Sequence, residues 1–196
     1  MAKKKPALPE LTYSTDDTRT AVARLRELVL YVTSRCADAE HFGAIKLNKI
    51  IAFADFTAFV RRGKPITGVE YMRQKNGPVP RKMKPVLEQM QERGDLAKQI
   101  VPAGKFAEHR YVPLREPNLN VLSASDIALV DEVINIMWKA TGQQVSDFSH
   151  GIAWRVAGED GASIPYEAAF LSDQPPTAAE IARTHELNRK FKWEEA

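Results

Sequence analysis

Apolar residues recur at helical spacing in blocks along this chain, and stretches rich in glycine, proline and polar residues separate the blocks. The longest block lies between two glycines, Gly43 to Gly63, GAIKLNKIIAFADFTAFVRRG. The spacing predicts a single helix of about five turns over about 44–62. Arg61 and Arg62 sit in its last turn, where positive charge suits the helix dipole, and Gly63 sits where a terminating glycine belongs. Projected at helical steps, Ile45, Leu47, Ile50, Phe53, Ala54, Phe56, Phe59 and Val60 cover most of the circumference. A helix apolar most of the way round is buried on several sides. Lys46, Asn48, Lys49 and Asp55 interrupt it too often for a membrane span. The predicted fold class is therefore mainly α, a compact helical domain around this central buried helix.

The remaining blocks are read in relation to that helix. Residues 1–13 hold three lysines and two prolines without periodicity and read as a flexible basic arm. Ser14 to Asp17 supply caps for a helix that runs to about Asp38, with Val22, Leu25, Leu28, Val29 and Val32 on one face. After Gly63 comes a turn-rich link. Then Tyr71 to Pro80 ends in Asn76-Gly77-Pro78, a turn, with Val79 held extended by the proline after it. Arg81 to Arg93 reads as a helix starting near Lys84, so that Pro85 falls in its first turn. The period then changes, and Leu96 to Leu114 predicts one small β-hairpin over about 96–114. Ser123 and Asp126 have capping-box spacing for a helix that Gly142 ends. A short helix from Gln143 carries Val145 and Phe148, and an apolar turn follows at Ile164 to Leu171. Thr177 and Glu180 form a second capping box for a terminal helix to about Trp193. This gives an arm (1–13), a helical domain (14–172) and a C-terminal helical extension (173–196) packed on that domain.

Composition narrows the function. The chain has 196 residues, a net charge of +3 and one cysteine, Cys36. A disulfide framework and a cysteine-based zinc site are both excluded within the chain, and a reducing, cytoplasmic setting is expected. No stretch reaches the length of a membrane helix, so no membrane partner is expected. The four histidines His41, His109, His150 and His185 are scattered, and no pair has metal-site spacing. No phosphate-cradling glycine loop is present, and no nucleophile–base arrangement is specified. The expectation is a protein without a catalytic site, metal or cofactor. Lys46 and Lys49 lie three apart on the central helix. Their stems cover apolar neighbours while their ammonium groups reach water, or they form a cationic spot for an acidic partner. Helix followed by hairpin is also the outline of a winged helix, with Lys98, Lys105, Arg110 and Tyr111 placed as a wing would place them.

Four pieces, taken together, resemble one family. Lys46-Leu47-Asn48-Lys49-Ile50-Ile51-Ala52-Phe53-Ala54 looks like the lysine- and leucine-rich helix of the Panacea domain, the SocA-like antitoxins. Asn76-Gly77-Pro78-Val79-Pro80 is similar to that family's Gly-Pro-Val turn, with Asn76 where an aromatic is commoner. The helix from Lys84 with its hairpin follows in order. Ser146 to Trp154, SDFSHGIAW, resembles the family's serine-histidine-tryptophan stretch. The resemblance covers roughly Ala23 to Trp154. It assigns Leu47, Ile50, Phe53, Ala54, Gly77, Pro78, Val79, His150 and Trp154 to the family's structural motif.

The resemblance implies an antitoxin: a protein that neutralises a cognate protein toxin by direct binding. In one variant of that theme the antitoxin delivers the toxin to an AAA+ protease. No cofactor and no catalysis are implied. The candidate partner surface is the face near Lys46, Lys49, Tyr71, Arg73 and Arg110. The alternative is a DNA-binding regulator that uses the basic residues of the hairpin, with DNA as the less favoured partner.

Overall fold

The computed structural model of the chain describes residues 18–103, 106–172 and 174–191. The basic arm and the cap residues Ser14 to Asp17 lie outside them. Helix α1 (Thr18–Arg35) turns Leu25, Leu28, Val29 and Val32 inward along one stripe. Helix α2 (Ala44–Arg62) buries Leu47, Ile50, Ile51, Ala54, Ala58 and Phe59. It stops at Gly63, whose φ of 72° lets its N–H donate to the Phe59 carbonyl at 2.7 Å. An L side chain is strained in that conformation, and glycine is not.

Next come β1 (Tyr71–Met72), a turn closed between Gln74 and Gly77, and β2 (Val79–Pro80). Far along the chain, β5 (Ser163–Ile164) returns to the other edge of β1. The three strands form an antiparallel sheet in the order β2-β1-β5, with Tyr71 opposite both Pro80 and Ile164. Helix α3 (Met83–Glu92) carries Pro85 in its first turn, where no intrahelical N–H is needed. The predicted hairpin is β3 (Leu96–Ala103) with β4 (Phe106–Pro113), which sets Leu96 opposite Pro113 and Gln99 opposite Arg110.

Helix α4 (Ala124–Met137) starts with the expected capping box. Ser123 Oγ accepts from the Asp126 N–H at 3.1 Å, and Asp126 accepts from the Ser123 N–H at 2.8 Å. One boundary is corrected. Gly142 does not end this helix: α4 stops at Met137, and Gly142 opens α5 (Gly142–Phe148). The cause is a third capping box, in which Thr141 and Gln144 satisfy each other's backbone N–H groups. Helix α6 (Ile152–Val156) and a 3-10 turn at Tyr166–Phe170 follow. Helix α7 (Ala178–Phe191) begins with the Thr177–Glu180 box and buries none of its residues.

Around α2 pack α1, α4, α5, β2, β4 and the 3-10 turn. The result is mainly helical with two small antiparallel sheets. No described helix is long and apolar enough to cross a membrane.

Candidate functional site: the Gly77 turn and the groove beside it

Three elements far apart in sequence converge on the turn Gln74–Pro78. From α2, Lys49 Nζ donates to the Pro78 carbonyl at 2.9 Å. From α5, Ser146 Oγ donates to the Asn76 carbonyl at 3.1 Å. From α6, Trp154 Nε1 donates to the Gln74 carbonyl at 2.9 Å. These carbonyls belong to no ladder, and the three donors pair them from the side on which the turn meets the fold. The turn itself requires glycine. Gly77 has φ of 97°, and a Cβ there would overlap Ser149 Oγ and lie 2.6 Å from Lys49 Nζ.

Trp154 is held on more than one side. The Arg73 guanidinium carbon lies 3.9 Å from its ring centroid, and the His150 ring stacks on it at 4.1 Å. Gly77, Pro78, His150 and Trp154, which the family resemblance put in one motif, thus meet at one place. Leu47, Ile50 and Ala54 are core, while Phe53 and Val79 are half-buried beside it.

The cationic surface expected at Lys46 and Lys49 is corrected. Each side chain is 1% exposed. Lys46 Nζ donates to the carbonyls of Trp138 and Ala140, both at 2.8 Å, so it caps the C-terminal end of α4. Cations belong at that end of a helix dipole. Burial pushes the Lys46 ammonium down, and it pushes that of Lys49 down to about 7. Desolvation disfavours a charged amine, and no acidic neighbour opposes it at Lys49.

Tyr71 is also buried rather than displayed. Its hydroxyl donates to Asp55 at 2.7 Å, and its ring packs on Phe56 with centroids 5.1 Å apart. Arg73 lies on Trp154 as described, and Arg110 donates to the carbonyls of Cys36, Ala37 and Ala39. Arg110 therefore ties the hairpin to the end of α1 instead of facing a phosphate. Tyr111 is half-buried, Lys98 is exposed, and Lys105 lies outside the described residues.

Asp55, on the same helix, is fully buried as well. It accepts from the Thr67 N–H at 2.7 Å, from the Thr67 hydroxyl, and from the Tyr71 hydroxyl, with Tyr166 at 3.4 Å. Burial pushes its carboxyl up, against the Thr67 and Tyr71 bonds that pull it down. Among the described residues no group of three or more His, Cys, Asp and Glu side chains is placed to hold a metal.

Beside the turn opens an apolar groove of about 370 Å³. Phe53, Phe56, Val60, Phe148, Trp154 and Leu171 line it. Phe148 stacks on Phe53 at 5.3 Å yet is 72% exposed. Leu171, which lines the groove, and Phe170 before it in the chain are also exposed. Sequence reasoning placed Phe148 on a short helix as an apolar residue and gave it no role. Its signal was a large aromatic at the last position of a seven-residue helix, too near the end to be covered.

The fold and site define a mainly helical domain in which a lysine-bearing helix, a Gly-Pro turn and a Ser-His-Trp segment form one unit beside an apolar groove. The family described as "Antitoxin SocA-like, Panacea domain" matches residues 47–155, more than half of the chain, and the chain belongs to that family. No curated protein and no solved structure matches it.

Proposed function

We propose that this protein is the antitoxin of a toxin–antitoxin pair, and that it neutralises its toxin in the cytoplasm by direct binding at the Phe148 groove. One observation carries the choice of surface. Phe148 is a large aromatic left 72% exposed at the mouth of an aromatic-lined groove, next to the turn on which the family's motif residues meet. Contiguous exposed apolar surface of this kind marks protein interaction sites. Aromatic anchors that enter or flank such pockets dominate binding energy. The polar residues of the motif are engaged internally: Lys46, Lys49, Ser146 and Trp154 hold carbonyls of the scaffold. In this reading they shape the groove, and the groove takes the partner.

The test is co-expression with the product of each flanking gene, scored by growth and by co-purification. A flanking product that is toxic alone, harmless with this protein and co-purified with it supports the reading. Phe148→Ser should then weaken the complex by about 30-fold or more, the loss that goes with an anchor of roughly 2 kcal/mol. The melting temperature should fall by only about 2–4 °C, because the side chain is mostly in solvent and loses little beyond its stack on Phe53. If no flanking product is toxic, neutralisation is abandoned. If neutralisation holds and Phe148→Ser binds as tightly as the parent, the groove is the wrong surface.

A further inference from the structure

A second cavity, of about 440 Å³, is lined by other residues of the same turn, between the first turns of α2, the Gln74–Asn76 segment and α3. Its character is the opposite of that of the Phe148 groove. Ile45, Met72 and Val79 give it apolar walls, and Lys49, Lys75 and Lys84 give it positive charge. No acidic residue among the described residues lines it. The nearest acidic partner of Lys84 is Glu88 on the same helix, 4.0 Å away, with the lysine side chain 87% exposed. A pair of that kind contributes little and is easily exchanged.

Two groups in the wall are incompletely satisfied. Lys49 Nζ can donate three hydrogen bonds, and its one acceptor is the Pro78 carbonyl. It is 1% exposed and has no counter-charge. Asn48 Nδ2 donates to the Ala44 carbonyl at 2.7 Å, while Asn48 Oδ1 is buried without a partner. Buried polar groups in this state cost stability, so each one calls for an explanation. For Lys49 a hydrogen-bonding anionic group arriving from outside supplies one; Asn48 Oδ1, an acceptor, needs a donor instead and is not served by a carboxylate.

We propose that this cavity receives an acidic side chain, Asp or Glu, of the protein partner, whose carboxylate meets the three lysines while its stem lies on Ile45, Met72 and Val79. The proposal rests on the antitoxin reading only for the source of that side chain. A carboxylate fits better than a phosphate. Phosphate sites offer several backbone N–H groups or arginine forks, whereas this cavity offers ammonium points on apolar walls. The Phe148 groove and this cavity flank one turn, so a single partner segment crossing the turn can present an apolar anchor to one and an acid to the other.

The experiment uses the full chain, labelled with ¹⁵N. It is titrated separately with N-acetyl-aspartate N-methylamide, N-acetyl-asparagine N-methylamide and inorganic phosphate, and the Asn76 and Gly77 amide signals are followed. The aspartate compound should shift both signals saturably and bind at least about fivefold more tightly than the asparagine compound, a ratio that one partly screened charge interaction accounts for. The double variant Lys75→Gln, Lys84→Gln should reduce that difference at least twofold, and it leaves Lys49 in place to keep the remainder. Equal binding of the two compounds overturns the proposal, as does an aspartate preference that the double variant leaves undiminished. Phosphate binding tighter than that of the aspartate compound also overturns it, in favour of a phosphate site. In co-expression, Lys75→Glu with Lys84→Glu should weaken the toxin complex at least tenfold. Undiminished rescue by that variant sinks the cavity while the antitoxin reading stands. Failure of the parent protein to rescue from any flanking product sinks the antitoxin reading, and the aspartate preference is then decided by the titration alone.

Discussion

Asp55 and Lys49 lie on the same helix, both removed from solvent, at 0% and 1% exposure. Asp55 is surrounded. The Thr67 N–H, the Thr67 hydroxyl and the Tyr71 hydroxyl all donate to it, and Tyr166 closes the fourth side. Through these bonds one carboxylate joins α2, the loop after Gly63, β1 and the 3-10 turn at Tyr166–Phe170. Lys49 has a single carbonyl. The difference separates two uses of buried charge. A group whose capacity is filled from within specifies the fold. A group left with spare donors beside an open cavity, as Lys49 is, leaves capacity for something outside.

The largest expected effect comes from emptying the filled site. Asp55→Ala leaves Thr67 and Tyr71 donors buried without an acceptor, and removing one member of such a network costs about 3–5 kcal/mol. For a chain of this size that lowers the melting temperature by roughly 10 °C. Asp55→Asn keeps an acceptor oxygen and should lose less than half as much. Thermal melts of the two variants check this. Equal losses would mean that the negative charge itself, and not the acceptor geometry, holds the four elements together.

A smaller effect is expected at the turn. Gly77→Ala combines a φ of 97° with a Cβ that meets Ser149 Oγ and Lys49 Nζ. Gly63 has φ of 72°, but a Cβ there has nothing within 4 Å. Gly63→Ala should therefore cost only the left-handed backbone penalty, about 1 kcal/mol. Gly77→Ala should cost about 2–3 kcal/mol, with the excess due to overpacking. Denaturant titration of both variants measures the gap. If the two cost the same, Ser149 and Lys49 move aside for the added methyl more easily than their packing around Gly77 implies.

These residues also show what the sequence alone carries. Signals that act within a few positions were legible: the Ser123 and Thr177 boxes, the glycine stop at Gly63, the hairpin and the Gly77 turn. Thr141 with Gln144 is equally local, but Gly142 between them carries a competing stop signal that masks the box. The partners of buried polar groups were not legible. Helical periodicity puts Lys46 and Lys49 on a face, but it cannot say that the end of α4 and the Pro78 carbonyl cover that face, some 92 and 29 positions away. The Thr67 and Tyr71 partners of Asp55, 12 and 16 positions on, are hidden for the same reason. The groove was invisible because its defining property is the absence of a cover over Phe148, and absence of a neighbour leaves no mark in spacing. Of the residues that the family resemblance selects, Gly77, Pro78, His150 and Trp154 lie at one turn, and the resemblance gave them no geometry.

The smallest effect tests the unfilled site directly, through protons. Burial holds the Lys49 amine at about 7 in the folded chain, against 10.5 for an unperturbed lysine. Between those values the unfolded chain binds more protons than the folded one, so this group makes stability rise with pH across that window. Below about pH 7 both states are protonated, and the burial penalty is present in full. Lys49→Met fills similar volume without a charge and should remove the slope. Melts of the parent and the variant at pH 7 and pH 8 should show the parent gaining about 1 kcal/mol on the variant over that step. A parent and variant that keep a constant difference would mean that the Lys49 charge is already compensated inside the fold, and the contrast with Asp55 would disappear. A difference that appears in the free protein and vanishes when the aspartate compound is bound would show the opposite, an outside carboxylate holding the proton on Lys49.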